Sequence, residues 1–128
     1  MNVAQESVRT DTELVAAYLK TNDEAAFGEL MARHQAMVYR ACLRMIGDHH
    51  EAEDAAQAVF ITLARKASSL WERELSSWLY GVARRISLEV LRRRARQQKR
   101  ATEAAEQFAA EGQEAVVPAA GRDRRYIP

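Results

Sequence analysis

Apolar residues recur along this chain at intervals of three and four positions, which is the spacing of one face of an α-helix. Runs of β-branched residues are absent, and glycine and proline are scarce, at 5 and 2 of the 128 residues. The pattern therefore predicts an all-α fold, a compact bundle of about four helices with a frayed or disordered C-terminal tail.

The first predicted helix runs from about Asp11 to Lys20, with its apolar side at Leu14, Val15, Tyr18 and Leu19. The segment Thr21–Glu24 ends it and offers a capping box for the next helix, in which Thr21 is the N-cap and Glu24 reaches back. The second helix is the longest predicted core element and ends at Gly47. Its apolar stripe comprises Phe27, Leu30, Met31, His34, Val38, Ala41, Cys42 and Met45.

The third predicted helix opens at Asp48 and runs to about Ala67. At 100° per residue, one side is a core face that comprises Ala52, Ala55, Ala56, Val59 and Leu63. The opposite side comprises Asp54, Gln57, Ile61 and Arg65. Ile61 gains little on such a polar face unless another protein covers it, although single exposed isoleucines are also common.

A polar connection over Ser68–Ser76 leads to a fourth predicted helix that ends near Arg100. Its buried side comprises Leu79, Val82, Ala83, Ile86 and Val90, with Trp78 packing in the core at the helix start. The opposite stripe comprises Ser77, Gly81, Arg84, Arg85, Leu88 and Arg92. Tyr80 is angled away from the core and is the better candidate for stacking on a base, with Trp71 of the connection as another.

Charge is segregated along the chain although the net charge is only +1. Residues 1–74 carry −4, residues 75–100 carry +7, and the remainder carries −2. A short basic block on an otherwise acidic chain indicates that one element contacts a polyanion, the alternative being a solvated helix end. Arginines that share one face suit phosphates and exposed bases.

Three sequence phrases are similar to region 2 of sigma-70 family factors of the extracytoplasmic-function (ECF) group: Ala52-Glu53-Asp54-Ala55-Ala56-Gln57-Ala58-Val59-Phe60, Leu63-Ala64-Arg65-Lys66-Ala67, and Ser77-Trp78-Leu79-Tyr80-Gly81-Val82-Ala83. The resemblance covers about Asp11 to Arg100. It implies a sigma factor module that binds core RNA polymerase and the promoter −10 element.

The resemblance also implies two sets of binding residues. The third helix would dock on the β′ clamp helices of the polymerase, through Glu53, Asp54, Gln57, Ile61 and Arg65. The connection from Ser68 to Ser77 and the fourth helix would hold the melted −10 non-template strand, and the expected DNA-binding residues are Ser77, Tyr80, Arg84, Arg85, Leu88 and Arg92. An anti-sigma factor is a further candidate partner.

Other functional classes find little support. Cys42 is the single cysteine, so no intramolecular disulfide is expected. No apolar run is long enough to span a membrane and no secretion signal opens the chain, so the cytoplasm is the default location. Adjacent His49 and His50 point in different directions and lack further ligands at zinc-like spacing. We therefore expect no metal, cofactor, catalytic residue or membrane insertion.

The predicted organisation is a flexible N-terminus over residues 1–10, the helical domain over 11–100, and a tail over 101–128 without the second, helix-turn-helix domain of sigma factors. The tail is expected to be a frayed helix to about Glu111 and then disordered. Two alternatives to a sigma factor module are open: a polymerase-binding competitor that does not start transcription, and a small nucleic-acid-binding helical domain without polymerase contact.

Overall fold

The structure is a computed structural model that describes residues 8–70 and 74–115. This part of the chain contains four α-helices and a 3-10 turn and no strand, which confirms the predicted all-α class. The elements are α1 (Asp11–Thr21), α2 (Glu24–Ile46), α3 (His49–Lys66), the 3-10 turn (Ala67–Ser69) and α4 (Leu75–Ala115). The chain divides into two compact units, Met1–Leu88 and Glu89–Pro128, with the boundary inside α4.

A capping box opens α1 rather than α2. The Thr10 hydroxyl accepts from the Glu13 backbone N–H at 3.1 Å, and the Thr10 N–H donates to the Glu13 carboxylate at 2.7 Å. The box predicted at Thr21 and Glu24 is therefore wrong. Thr21 is still helical, because the turn into α2 is made one residue later by Asn22, in the left-handed region at φ 55°.

Asp23 is the actual N-cap of α2, and its carboxylate accepts from the Ala26 N–H at 3.2 Å. Gly47 ends α2 as predicted, in the left-handed conformation at φ 82°. Asp48 then caps α3 by accepting from the Glu51 N–H at 2.9 Å. Because only two residues join the helices, α2 and α3 pack side by side as antiparallel neighbours.

The core of the first unit is built from the apolar stripes of α1 to α3 and the beginning of α4. Its largest fully buried side chains are Leu14, Leu30, Val38, Cys42, Val59, Leu63, Leu79, Val82 and Ser87. Phe60 is also buried, although its position lies outside the predicted core stripe of α3. Leu19 was predicted on the apolar side of α1 but is exposed, because it lies at the end of that helix.

Asp11 joins α1 to α2 through two side chains. Its Oδ2 lies 2.8 Å from Nε2 of the nearly buried His34, and its Oδ1 accepts from Arg33 at 3.2 Å. Arg33 also donates to Glu29 at 2.6 Å. His34 thus packs in the core as predicted while satisfying its ring nitrogen, as a buried polar group requires.

The second unit contains the continuation of α4 to Ala115. The segments predicted as a fourth helix to about Arg100 and a frayed helix to about Glu111 are thus one helix, which ends four residues beyond Glu111. The residues after Arg100 are mainly alanine, glutamate and glutamine, which are strong helix formers, so no local signal ends the helix at Arg100. Disorder was predicted after about Glu111, but residues 112–115 are helical. The rest of the predicted disordered tail, residues 116–128, lies outside the described residues. No helix in the described part of the chain is long and apolar enough to cross a membrane.

Candidate functional site

The outward face of α3 carries an apolar residue within a polar surround. Ile61 is 53% exposed. The other members of the predicted polymerase set, Glu53, Asp54, Gln57 and Arg65, are exposed as well. Helical spacing places Asp54, Gln57 and Ile61 in one row, so the face combines a carboxylate, an amide and an aliphatic side chain. An apolar centre with a polar rim is typical of a protein-binding surface.

A groove of about 660 Å³ lies between α2 and α3, beside this face. Two of the predicted polymerase-binding residues, Glu53 and Gln57, line its α3 wall. Buried Phe60 and half-buried Met31 supply apolar surface. The remaining lining residues are Gln35, Ala36, Tyr39, His49 and Ala56.

Tyr39 and His49 join the two helices at one part of the groove. The Tyr39 hydroxyl lies 2.6 Å from Nδ1 of His49, and the rings stack with centroids 6.4 Å apart. Sequence reasoning missed the α2 wall, apart from Met31, which it assigned to the core. The signal was available, since residues 31, 35 and 39 follow each other at intervals of four and so share one helix face. The lining residues of α2 and α3 form two rows of side chains, one on each side of an apolar surface. A groove of this kind can receive a helix.

The first turns of α4 carry the predicted DNA-binding face. Ser77, Arg84 and Arg85 are exposed, and Tyr80 and Leu88 are 42% and 41% exposed. No acidic residue occurs between residues 75 and 88. Within the described residues, neither arginine forms an ion pair, so both guanidinium groups can meet a phosphate. Arg92, the last predicted member, is exposed in the second unit.

A smaller cleft of about 320 Å³ lies where the end of α3 and the 3-10 turn meet α4. Lys66 and Arg85 bring two cations to it, and the Trp78 indole supplies an aromatic surface. Thr62, Ser69 and Leu70 complete the lining. Trp78 was predicted to pack in the core but is only half-buried, because one side of its indole faces this cleft. Cations beside an aromatic ring can hold a phosphate and a stacked base together.

The cleft includes part of the predicted base-capturing edge. Ser69 and Leu70 of the connection contribute to the lining, whereas Trp71 lies outside the described residues. Lys66 and Thr62, on α3, were not predicted as nucleic-acid contacts. Their distance in sequence from Arg85 explains this, since only the packing of α3 beside α4 brings them together.

Other polar side chains do not assemble into a reactive centre in the described residues. No group of three His, Cys, Asp or Glu side chains there could hold a metal ion. His50 lies 4.0 Å from Glu53, and His49 is engaged with Tyr39. Burial raises the pKa of the Cys42 thiol, an effect partly offset by Ser87, so this cysteine stays protonated at neutral pH.

Comparison with known proteins identifies the family. Residues 30–97 match the family described as Sigma-70 region 2. The chain is 34% identical over 77 residues to the ECF RNA polymerase sigma factor SigW of Bacillus subtilis, covering 59% of this chain and 41% of that protein. It is 33% identical over 84 residues to the ECF RNA polymerase sigma factor SigE of Mycolicibacterium smegmatis, covering 63% of this chain and 33% of that protein.

A third relative is the ECF RNA polymerase sigma factor SigM of Mycobacterium tuberculosis, 33% identical over 86 residues, which cover 66% of this chain and 43% of that protein. The matched segments thus span less than half the length of these relatives. The family match nevertheless includes most of α2, all of α3 and the arginine-bearing turns of α4. The chain therefore belongs to the sigma-70 region 2 family, in its ECF group.

Proposed function

We propose that this chain is the module of an ECF sigma factor that binds core RNA polymerase through α3 and the −10 non-template strand of a promoter through α4. One observation carries the proposal: a single unit presents both an apolar-centred face on α3 and an arginine face, free of acidic residues, on α4. The first type of surface suits a protein partner and the second suits a nucleic acid. The family membership supports assigning these surfaces to polymerase and promoter.

The polymerase contact is centred on Asp54, Gln57 and Ile61, with Glu53 and Arg65 at the edge. The groove beside it extends the surface, because Glu53 and Gln57 belong to both. A polymerase helix resting there would cover Ile61 and exclude water from the charges around it. Truncation of a central apolar anchor and reversal of a central charge each typically weaken such interfaces by about 1–3 kcal/mol.

Titration of the purified chain with core RNA polymerase tests this contact. Ile61→Ala and Asp54→Lys should each weaken binding by that amount and leave the helical content unchanged. Leu19→Ala is the matched control for the first variant, since Leu19 is an exposed aliphatic residue on α1. Glu103→Lys, in the second unit, is the control for charge reversal. Equal affinities for all four variants and the unaltered chain would contradict the polymerase assignment.

The DNA contact combines phosphate neutralisation with stacking. Arg84 and Arg85 meet the strand backbone, Tyr80 and Leu88 offer surface to the bases, and Ser77 lies at the N-terminal end of the face. Arg92, which is exposed in the second unit, is a further proposed phosphate contact. The cleft with Lys66 and Trp78 is large enough to take one unstacked base.

Salt dependence of binding to a −10 non-template oligonucleotide tests this contact. Each single-strand phosphate contact contributes about 0.7 to the slope of log K against log salt, so replacing Arg84 and Arg85 by alanine should lower the slope by roughly 1.4. Adding Arg92→Ala should lower it again. The control is the double variant Arg40→Ala, Arg44→Ala, which removes two exposed arginines from α2. A slope that falls equally in the control would place the DNA contact elsewhere.

A further inference from the structure

The second unit presents an aromatic side chain that no described residue covers. On the continuation of α4, Phe108 is 77% exposed. At 100° per residue it shares one side of the helix with Ala101, Ala104 and Ala105, and the nearest acidic residue, Glu111, lies at one edge of that side. Neither the proposed polymerase face nor the proposed arginine face includes Phe108.

Two opposite charges lie along one edge of this apolar side. Arg93 and Glu111 are 18 residues apart, which is five helical turns, so both project at the same edge. They are separated by about 27 Å of helix and cannot reach each other. Both are exposed, and neither forms an ion pair with another described residue.

We propose that this side of the second unit binds a second copy of the chain, with the two helices antiparallel and crossing near Thr102. Thr102 is the midpoint between Arg93 and Glu111, so a twofold axis there places each Arg93 beside Glu111 of the other copy. In a parallel twofold pair, the edge that carries these charges on one helix faces the opposite edge of the other helix, so Arg93 and Glu111 do not meet. The charge pattern therefore selects the antiparallel arrangement.

The same arrangement covers the exposed ring. Phe108 lies six residues beyond the axis and so meets the other helix about six residues before it, near Arg94 and Gln97. The methylene groups and guanidinium of an arginine suit an aromatic surface. The alanines around the axis allow the two helix backbones to approach closely. Arg92, Arg96 and Lys99 project from the opposite side, so the pair leaves them exposed.

Sedimentation equilibrium over a range of concentrations tests the pairing, with no polymerase or DNA present, so the outcome is independent of the proposed function. The unaltered chain should show a reversible monomer–dimer equilibrium, and Phe108→Glu should leave a monomer of unchanged helicity. Ala110→Glu is the matched control, because it places the same charge on the opposite side of the helix. A chain that remains monomeric at every concentration overturns the proposal. That outcome would also follow if residues 116–128 of the same chain covered Phe108, and it would equally overturn the pairing.

A charge exchange identifies the register. Arg93→Glu and Glu111→Arg should each raise the dissociation constant of the dimer roughly tenfold, since each places two like-charged pairs at the interface. The double variant should restore the original value. Because the two positions lie too far apart to interact within one helix, recovery requires a second helix. Failure of the double variant to recover overturns the antiparallel register.

Discussion

The Ser87 hydroxyl is buried without a hydrogen bond that would compensate for its loss of water. It is fully buried on α4, and its oxygen has no hydrogen-bond partner among the described residues. Its polar neighbour is the Cys42 thiol, which is a weak hydrogen-bonding group. Burial raises the pKa of this thiol, and the contact with Ser87 offsets only part of that rise. A buried hydroxyl that exchanges its water for so weak a contact reduces the stability of the fold.

Ser87→Ala should therefore raise the free energy of unfolding by about 1 kcal/mol, from the removed desolvation penalty and the better helix propensity of alanine. Urea unfolding followed by circular dichroism measures the change. In the unaltered chain, Cys42 should react with a thiol reagent only as fast as the protein opens, since the thiol is buried and protonated. A loss of stability in the variant would show that the Ser87 hydroxyl is engaged more strongly than its geometry indicates.

Gly81 is a second residue whose identity the fold does not require. It lies in the exposed arginine stripe of α4, and a Cβ added there would meet no atom within 4 Å. Glycine within a helix costs about 1 kcal/mol relative to alanine, so some other role would have to offset that cost. Close approach of a DNA backbone to this stripe is a role of that kind.

Gly81→Ala should stabilise the chain by about 0.5–1 kcal/mol and weaken its binding to the −10 oligonucleotide. Gly28→Ala is the matched control. Gly28 is an exposed glycine inside α2 and also has open space around it, so the change should stabilise the chain equally and leave DNA binding unaltered. Parallel unfolding and binding measurements on both variants decide the point. Equal DNA affinities would show that Gly81 does not contact DNA.

At the scale of elements, helix ends show how local hydrogen bonds connect with pH. The Glu13 carboxylate closes the capping box of α1, and hydrogen bonds from the backbone N–H and the hydroxyl of Thr10 lower its pKa. The carboxylate is thus favoured in the folded state and ordinary in the unfolded state. Its contribution is present above the unfolded pKa and is lost as the pH falls through the lowered folded value.

Acid should therefore weaken the capping box of α1 as the pH falls below the ordinary pKa of a glutamate and through the lowered pKa of Glu13. Glu13→Gln keeps an acceptor at this position but cannot titrate, so stability should depend less on pH below the ordinary pKa of a glutamate than in the unaltered chain. Glu24→Gln is the control, because Glu24 lies in the first turn of α2 and makes no comparable bond within the described residues. Unfolding free energies across the acid range give the comparison, and identical pH profiles for all three proteins would refute the assignment.

The whole molecule combines a near-neutral net charge with a basic block confined to α4. If the arginine face reads bases, duplex DNA must open before the bases become available, and each stacked step costs about 1.4 kcal/mol. The chain should therefore bind a duplex with a preformed −10 bubble more tightly than the fully paired duplex of the same sequence. Equal affinity for both would indicate simple binding to duplex phosphates.

A scrambled bubble provides the control for this comparison. Reading of −10 bases by the arginine face and the cleft predicts tighter binding to the −10 sequence than to the scrambled one. A general preference for single strands predicts equal binding to both bubbles, because stacking and phosphate contacts tolerate any sequence. Fluorescence anisotropy with labelled duplexes at one salt concentration measures all three affinities.

Helical periodicity determined much of this protein without reference to tertiary structure. It placed Ile61 in a polar row of α3 and the arginines in an exposed stripe of α4, and both positions are exposed as expected. Gly47 and Asp48 were sufficient to locate the boundary between α2 and α3. These features depend on residues within about one turn of each other, which is the range over which helix spacing and capping operate. The assignment of these residues to polymerase and DNA stays a prediction.

Tertiary structure decided the features that join separate elements. The groove exists because α2 and α3 pack side by side, so Tyr39 meets His49, and the cleft exists because α4 brings Arg85 to Lys66. Similarly, Asp11 reaches His34 across 23 positions. Helical spacing within one element carries no information on such contacts. At the junction of α1 and α2, both Thr21 and Asp23 are residue types that cap helices well. The turn at Asn22 makes Asp23 the N-cap of α2. The sequence alone does not locate this turn, because the path of the chain into the core determines which residue leaves the helix first.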